Sequence, residues 1–388
     1  MKRLPRLYEC SEHAYRDYMK GRPKGQEEAW AAAYCYVFLP SAFLYVLWVL
    51  AHALGCGKRR LYFLSGESYL IYLIAWHICE QWQFPLECRY LYLPGEAGIR
   101  GSADMPGIPA KHVRRAGETE REKRRQEDMQ EGDPQQKPAR RETHRVTEDA
   151  PGDSGRQAAL LGGYLEQEGL LGDVPYALVC GGWSGRQQKR LLRLLKKAGY
   201  RERVEGYYFG LYHYAGGMEE RLCHSWYFSP AGGHWKKAFF SRNLFDCVFA
   251  SPEGENVGYC VSEGRYVPVF GAEGNPNRKR IETEAAVLLK YAEYYTGDFG
   301  SGKDRMGRNP RLEMCVVTWL LSSFMGFASE EEARAFGSYR MDSGSRQAVL
   351  REVWPQRKES RAGGREVEGR KRNKAVFFCN PGADGQGD

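Results

Sequence analysis

The chain lacks the short motifs that would by themselves identify a nucleotide site or a zinc site. Neither Gly-x-Gly-x-x-Gly nor Gly-x-x-x-x-Gly-Lys-Ser/Thr occurs in its 388 residues, so nucleotide binding by those two routes is not supported. Its 11 cysteines include no Cys-x-x-Cys pair, and its eight histidines are dispersed, so no metal site is predicted. Single cysteines inside apolar stretches instead favour reduced core thiols in a cytoplasmic protein.

Formal charge is absent from residues 29–57, and residues 37–54 are strongly apolar. That length could span a bilayer, which would make the chain a membrane-associated assembly protein. Pro40 interrupts the run, however, and we predict two buried helices, the second with Pro40 in its first turn. The N-terminus is polar and charged and lacks the pattern of a signal peptide. A cytoplasmic location is therefore predicted, with a membrane partner as the less favoured alternative.

Two segments carry dense charge and few large apolar side chains. Residues 111–150 hold 11 Lys/Arg and 10 Asp/Glu, and such a composition cannot bury enough surface to offset the entropy of ordering. We therefore predict a disordered, charged insertion over residues 100–157. Residues 355–374 hold eight Lys/Arg against three Glu, which predicts a solvated basic tail and no nucleic-acid partner. Contact of this tail with nucleic acid or acidic lipid is the alternative.

The remaining sequence alternates between strand and helix patterns. Residues 60–64 and 86–93 have strand patterns on either side of a helical pattern at 69–83, which makes one βαβ unit, and residues 174–212 make a second. We predict an α/β, Rossmann-like fold, with a mainly parallel sheet, flanking helices and a C-terminal helical block. The predicted divisions are 1–99, the N-terminal helices and first unit; 100–157, the insertion; 158–275, the second unit and an aromatic, glycine-rich region; 276–345, the helical block; and 346–388, the tail.

The most informative stretch, residues 174–199, has the pattern of a strand, a glycine-rich turn and a helix. Residues 176–179 are apolar without alternation, which is typical of a strand covered on both faces. The turn and the start of the helix contain Gly181, Gly182, Ser184, Gly185 and Gln187. The Ser-x-x-Gln spacing predicts a capping box. Because α/β proteins bind anions at such helix N-termini, an anion cradle is one interpretation, and a tight turn without a ligand is the other.

The carboxyl ends of two predicted parallel strands, at residues 65–68 and 180–185, are expected at one edge of the sheet. Open α/β sheets bind their ligands at that edge. Glu67 is the candidate catalytic residue there, although a first-turn acid that complements the helix dipole is the alternative role. The predicted anion- or ligand-binding residues are Ser65, Ser68, Gly181, Gly182, Trp183, Ser184, Gly185 and Arg186.

Several other residues have mainly structural interpretations. Cys180 fits a small buried apolar residue, and Trp183 fits either a packing lid over the turn or a stacking platform for a sugar or base. His224 and His234 flank an aromatic loop, and spacing identifies no partner for either. Three residues in turn-like settings are predicted to be structural: Asn243, Asp246 and Glu253.

A family resemblance is carried by short segments spread over residues 29–345. They are Arg-Leu-Tyr-Phe-Leu-Ser-Gly-Glu-Ser-Tyr at 60–69, Tyr-Leu-Tyr at 90–92, Ala-Leu-Val-Cys-Gly-Gly-Trp-Ser-Gly-Arg-Gln-Gln at 177–188, Gly-Tyr-Tyr-Phe-Gly at 206–210 and Glu-Ala-Arg-Ala-Phe-Gly at 332–337. These segments resemble predicted hydrolases of the haloacid-dehalogenase (HAD) superfamily that are linked to bacterial surface-polysaccharide biosynthesis. The Gly-Gly-Trp-Ser-Gly segment is the most specific of them.

The resemblance implies hydrolase activity, but this chain has only some of the residues that this activity needs. The family has Arg-Asp-Gly where this chain has Gly66, Glu67 and Ser68, and an aspartate where it has Cys180. The Asp-x-Asp nucleophile motif is absent as well, and with it the obvious Mg²⁺ ligands. We therefore predict a catalytically degenerate HAD-like protein without a cofactor, which binds a phosphorylated or sugar-containing molecule or acts as a partner in polysaccharide metabolism. An active hydrolase or transferase that uses Glu67, with Mg²⁺, is the alternative.

Overall fold

The computed structural model describes residues 6–94, 154–197, 200, 203–272, 274–297, 310–341 and 348–349. Most of the predicted insertion at 100–157 and most of the predicted tail at 346–388 lie outside the described residues. The predictions made for those two segments therefore stay predictions.

A five-stranded sheet forms the centre of the fold, and each of its neighbouring strand pairs is parallel. The strand order is β2-β1-β3-β4-β5, one of the two common orders of doubly wound α/β proteins. The prediction of a Rossmann-like α/β fold is thereby confirmed. The strands are β1 (Arg60–Leu64), β2 (Glu87–Leu91), β3 (Tyr176–Trp183), β4 (Glu205–Leu211) and β5 (Cys223–Phe228).

Helices cover both faces of this sheet, and a β-hairpin and two short strands complete the described structure. The helices are α1 (Arg6–Met19), α2 (Gln26–Ala33), α3 (Leu39–Gly55), α4 (Tyr69–Trp82), α5 (Ser154–Gln167), α6 (Arg186–Lys197), α7 (His234–Phe239), α8 (Arg242–Val248), α9 (Arg278–Gly297), α10 (Pro310–Phe327) and α11 (Glu330–Phe336). A 3₁₀ turn spans Glu220–Leu222, β6 (Asn256–Ser262) pairs with β7 (Arg265–Phe270), and β8 (Arg340–Met341) pairs with β9 (Ala348–Val349).

Alternate side chains of the strands enter two separate cores. In β1, Leu61 and Phe63 pack into the core beneath α3, α4 and the terminal helices. Tyr62 and Leu64, which point the other way, pack against α5, α6 and the hairpin. This period of two explains why the strands are apolar without alternation in sequence, since both of their faces are buried.

One helical run, Gln26–Gly55, joins α2 to α3 through a π-helical turn at Tyr34–Phe38. Pro40 lies in the first turn of α3 as predicted, but the chain does not break there. Because proline has no N–H to donate and its ring crowds the preceding turn, the wider π turn accommodates it. The two helices predicted from the sequence are therefore continuous.

The same run is, among the residues that can be described, the one helix long and apolar enough to cross a membrane. Inside the protein, 67% of its most apolar window is buried. Tyr45, for example, lies edge-on against Phe209 of β4 with ring centroids 5.4 Å apart. Packing against the sheet thus gives this helix the apolar surroundings that a bilayer would otherwise supply.

The N-terminal helices pack against the C-terminal helices, far away in sequence. The guanidinium of Arg6 donates to the carbonyl of Tyr294 at 2.9 Å, and the hydroxyl of Tyr291 donates to the carbonyl of Leu7 at 2.8 Å. α1 and α9 therefore belong to one helical layer. The predicted divisions 1–99 and 276–345 separate these two helices, although the helices are in contact.

Candidate functional site

The ends of β1 and β3 lie side by side at the carboxyl edge of the sheet. Phe63 pairs with Val179 in parallel register, so residues 65–68, which follow β1, and residues 180–185, which end β3 at Trp183 and continue beyond it, lie at the same edge. The chain leaves β1 toward β2 on one side and continues from β3 toward β4 on the other. This is the topological switch point, where doubly wound sheets form their ligand crevice, and the predicted convergence of the two segments is present.

The glycine-rich turn holds the carboxylate of Glu67. Backbone N–H groups of Gly181, Gly182 and Glu67 itself form hydrogen bonds with that carboxylate. A Cβ atom on Gly181 would lie 2.2 Å from Cγ of Glu67, so no larger residue fits at position 181 while Glu67 occupies the turn. The groups that were predicted to bind an external anion therefore bind the chain's own side chain.

Asp246 brings a second carboxyl group to Glu67. It lies on α8 and accepts a 2.9 Å hydrogen bond from Nε1 of Trp183. Although Asp246 as a residue is only partly covered, its carboxyl group is buried, and this burial together with the nearby charge of Glu67 raises its pKa well above the ordinary value. The positive charge of Arg242 acts in the opposite direction without cancelling these effects.

Burial also raises the pKa of Glu67, to about 7. The three backbone N–H groups favour the ionised form and limit this rise. Since two neighbouring buried carboxyl groups disfavour double ionisation, the pair retains at least one proton at neutral pH. Raised carboxyl pKa values of this kind are common at functional sites.

The sequence interpretation missed Asp246, which was assigned to a turn. Residues 242–248 instead form α8, and Ser241 caps this helix by accepting a 3.3 Å hydrogen bond from the N–H of Leu244. The buried residues Phe245 and Val248 anchor the helix in the core. Asp246 meets Trp183 through a contact between distant parts of the chain, which no local spacing could reveal.

Trp183 and Cys180 are both packed into the protein at this edge. The ring of Trp183 lies 5.2 Å from that of Phe240 and 5.4 Å from that of Phe245, measured between centroids, and only 9% of the residue is exposed. The geometry favours the packing lid over the stacking platform. Burial and the charge of Glu67 raise the pKa of Cys180 well above its ordinary value, so its thiol stays protonated and is a poor nucleophile.

The two predicted serine ligands after β1 make hydrogen bonds within the chain. The hydroxyl of Ser68, which is fully buried, donates to the carbonyl of Leu64. The hydroxyl of Ser65 accepts from the N–H of Leu93 at 2.9 Å and lies 3.2 Å from the carbonyl of the same residue. Both serines therefore stabilise the loop after β1.

The predicted capping box at residues 184–187 is wrong. Helix α6 begins at Arg186, and Gly185 accepts the first intrahelical hydrogen bond, from Lys189 at 3.0 Å. Gly185 is therefore the N-cap residue. The side-chain amide of Gln187 donates to the carbonyl of Ser65 at 3.3 Å instead of reaching back. Arg186 is exposed and Ser184 is half-buried, so these two residues form the outer rim of the turn.

The remaining candidates from the sequence are spread around the molecule. Glu253 lies in a turn as predicted, and its charge raises the pKa of Tyr69, although burial of that hydroxyl is the larger cause. Asn243 is half-buried on α8, and His234 is exposed at the start of α7. His224, for which spacing gave no partner, contacts Glu205 at the opposite edge of the sheet.

A magnesium ion, which the resemblance implies for an active member, does not fit the carboxyl pair. The carboxylate of Glu67 accepts from three backbone N–H groups and that of Asp246 from Trp183. These donors present positive hydrogen atoms where the cation would need unshared oxygen lone pairs and room for several waters. The described residues at this edge therefore support no step that depends on Mg²⁺.

Comparison with known proteins assigns no family to this chain. No protein-family model matches it, and no curated protein matches its sequence. The resemblance to HAD-superfamily hydrolases therefore stays a prediction, as does the binding role of the residues around the turn.

Proposed function

We propose that this chain is a non-catalytic, HAD-like protein that acts as a partner in bacterial surface-polysaccharide metabolism. The observation that carries the non-catalytic part is the position of Glu67, whose carboxylate takes the N–H groups of Gly181 and Gly182. The link to polysaccharide metabolism comes from the sequence resemblance alone. We therefore propose a phosphatase-like fold in which the turn that would bind an external anion instead binds the side chain of Glu67.

Three properties of the site support the loss of phosphoryl transfer. A phosphoryl oxygen would compete with Glu67 for the same N–H groups and would be repelled by any charge on the carboxyl pair. Cys180, in the place of the family's aspartate, is buried with a raised pKa. The Asp-x-Asp motif that would supply the nucleophile and the acid/base does not occur in the sequence.

The same geometry favours a neutral, sugar-containing ligand over a phosphorylated one. Sugar hydroxyls can donate to a carboxylate and accept from a protonated carboxyl group, whereas a phosphate dianion is repelled by whichever carboxyl group of the pair is ionised. Such a ligand would meet the outer rim of the turn at Ser184 and Arg186, which are half-buried and exposed. Weak binding is expected, because the inner residues already have partners within the chain.

Substitution of Glu67 tests this proposal in two assays. The purified full chain is incubated with a generic aryl phosphate and Mg²⁺, and we expect no turnover above the blank in the wild type or in Glu67→Gln. Glu67→Ala removes the internal carboxylate and frees the backbone N–H groups, so inorganic phosphate should raise the Tm of this variant and leave the wild type unchanged. Turnover in the wild type that Glu67→Gln abolishes would contradict the proposal.

A second candidate function is acid–base catalysis by the carboxyl pair. It is favoured by the pKa of Glu67, which burial raises to about 7, close to the value that suits a general acid or base at neutral pH. In that case the chain is a hydrolase or transferase in which Glu67 moves a proton and Asp246 positions it. A pH–rate profile with a limb near pH 7 that disappears in Glu67→Gln would support this candidate over the first.

A further inference from the structure

A second cluster of chemically active side chains lies at the amino edge of the sheet, opposite the carboxyl pair. His52 and Cys56 come from the last turn and the C-cap of α3, while Glu205 and His224 lie at the starts of β4 and β5. Cys56 is exposed, and the other three are half-buried. Solvent therefore reaches the cluster through the thiol.

Three of these side chains are spaced as metal ligands. Potential ligand atoms of His52, Cys56 and Glu205 all lie within 4.8 Å of one another. Sγ of Cys56 lies 3.6 Å from Nδ1 of His52. A tetrahedral zinc ion with Zn–S of about 2.3 Å and Zn–N of about 2.0 Å requires a sulfur–nitrogen separation of about 3.5 Å. The observed distance matches that requirement without movement of either side chain.

His224 adjoins these three donors but is not spaced as a fourth ligand of the same ion. Its Nε2 lies 2.9 Å from one carboxylate oxygen of Glu205, and its ring centroid lies 4.8 Å from that of His52. The other oxygen of Glu205 is paired with the ammonium of Lys58 at 2.8 Å. Lys58 therefore orients the carboxylate and leaves the first oxygen for a metal, which would replace its contact with His224.

The end of α3 favours a cation, whereas the ammonium of Lys58 beside Glu205 opposes one. The carbonyl groups at the C-terminal end of α3 carry partial negative charge, which stabilises positive charge within the last turn. The hydroxyl of Tyr207 lies 3.1 Å from Nδ1 of His52 and is displaced from that nitrogen when the metal binds. The mixture of sulfur, nitrogen and oxygen donors suits zinc and excludes magnesium and calcium, which bind oxygen.

We propose that His52, Cys56 and Glu205 form a Zn²⁺ site whose fourth position is taken by water. On binding, the Cys56 thiol releases its proton to solvent, and the resulting thiolate donates an electron pair to the metal, as do the imidazole of His52 and one oxygen of Glu205. The ion ties the end of α3 to β4. The sequence predicted no metal because Glu205 lies far along the chain from His52 and Cys56, and a single His and Cys four residues apart do not identify a site.

This site is independent of the proposed function. Its ligands lie at the C-terminal end of α3 and the amino end of β4, whereas Glu67 and Asp246 lie beyond the carboxyl ends of the same parallel sheet. Loss of zinc binding would therefore leave the phosphate test of Glu67→Ala unchanged. Failure of that phosphate test would likewise leave the zinc affinity unchanged.

Metal titration of the purified full chain tests the proposal. Zn²⁺ affinity is measured by competition with a chromophoric chelator, and Co²⁺ is used as a spectroscopic probe. We expect one tight site per chain, a thiolate-to-cobalt charge-transfer band and the intense visible bands of tetrahedral cobalt. Cys56→Ser should abolish the charge-transfer band, and Cys56→Ser and His52→Gln should each weaken zinc binding by at least about tenfold.

Matched variants exclude binding by other residues. Cys315→Ser changes another exposed cysteine and His234→Gln another exposed histidine, and both should bind zinc as the wild type does. Zn²⁺ should also raise the Tm of the wild type and of both controls, but not that of Cys56→Ser. Equal zinc affinity in Cys56→Ser and the wild type, or a cobalt spectrum without thiolate character, would overturn the proposal.

Discussion

A glutamate lies at each edge of the same sheet, and its pKa is raised at one edge and lowered at the other. At the carboxyl edge, burial raises the pKa of Glu67 to about 7, and backbone N–H groups supply only partial compensation. At the amino edge, burial also acts to raise the pKa of Glu205, but the hydrogen bonds and charges of Lys58 and His224 outweigh it and lower the pKa. The presence of a cationic side chain decides the direction of the shift.

The more accessible edge of this sheet is also not the edge at which open α/β sheets usually bind ligands. Ligands of open α/β sheets bind at the carboxyl edge, yet here Glu67 is almost fully buried there and its carboxylate fills the turn. At the amino edge Cys56 is exposed beside half-buried ligands. The carboxyl edge is thus closed by its own residues, and the amino edge is the more accessible of the two.

The closed state of the carboxyl edge depends on Gly181, and its substitution should have the largest effect. In Gly181→Ala the new Cβ meets Cγ of Glu67 at 2.2 Å, which forces the carboxylate away from the backbone N–H groups. Overpacking and the loss of charge-assisted hydrogen bonds together should lower the free energy of unfolding by about 4 kcal/mol. Equilibrium unfolding in urea measures this change.

Two further variants identify the cause of that loss. A Cβ on Gly216 would have no neighbour within 4 Å, so Gly216→Ala should stay within about 0.5 kcal/mol of the wild type. In the double variant of Gly181→Ala with Glu67→Ala the clash is gone, and part of the stability should return. A double variant that equals the sum of the two single changes would show that Gly181 and Glu67 are not coupled.

The opposite pKa shifts predict opposite pH dependences for the two edges. Because the folded pKa of Glu67 is raised, the native state holds a proton that the unfolded state releases, and stability falls as pH rises from the unfolded pKa to about 7. This single group should cost about 3 kcal/mol over that range. Glu67→Gln cannot titrate, and urea unfolding at several pH values should give a flatter curve.

The wild-type curve is the matched reference for this measurement. Glu284 is also buried with a raised pKa, but it titrates in both proteins, so the difference between the curves isolates Glu67 and its effect on Asp246. The effect on Asp246 has the same sign, since removing the charge of Glu67 lowers the pKa of Asp246. Parallel curves for wild type and Glu67→Gln would show that Glu67 is not buried in a state with a raised pKa.

The hydrogen bond from Trp183 to Asp246 should have an intermediate effect. Trp183→Phe keeps the aromatic packing but removes the Nε1 donor, which leaves a buried carboxyl oxygen without its partner. We expect a loss of about 2 kcal/mol. Trp235→Phe provides the control, because Trp235 is 59% exposed and should be neutral. Equal losses in the two variants would show that the Trp183 hydrogen bond contributes nothing specific.

Most of the fold was predictable from local sequence. The strand at 60–64 and the helix after it were placed within one residue of β1 and α4, because their apolar patterns and turn residues are local signals. β3 extends to Trp183, further than predicted, since Gly182 and Trp183 pair with Gly210 and Leu211 of β4. The packing of α1 against α9 was not predicted, because contacts across nearly the whole chain leave no periodic pattern.

The candidate sites were predictable only in part, for the same reason. Parallel strands end at a common edge, so Glu67 and the turn at Gly181 could be brought together from the sequence. The partners that decide their chemistry could not be, since Asp246 reaches Trp183 through α8 and His224 reaches Glu205 through strand pairing. Which groups fill the anion-binding turn depends on side-chain geometry and not on motif spacing.

The smallest expected effect lies at the amino edge, where Lys58→Met removes the cation beside Glu205 and keeps the aliphatic packing. The pair is mostly shielded, with 13% and 21% of the side chains exposed, and the variant should lose about 1 kcal/mol at neutral pH. Because the folded pKa of Glu205 is lowered, this stability is present above the unfolded pKa and disappears as pH falls through the folded value. Urea unfolding should therefore separate the two proteins at neutral pH and bring them together in acid.

Lys290→Met is the control for this prediction. It breaks an exposed pair with Glu293 and should match the wild type throughout. A loss in Lys58→Met that persists in acid would mean that the ammonium of Lys58 does not set the ionisation of Glu205, and the contrast between the two edges would then need another cause.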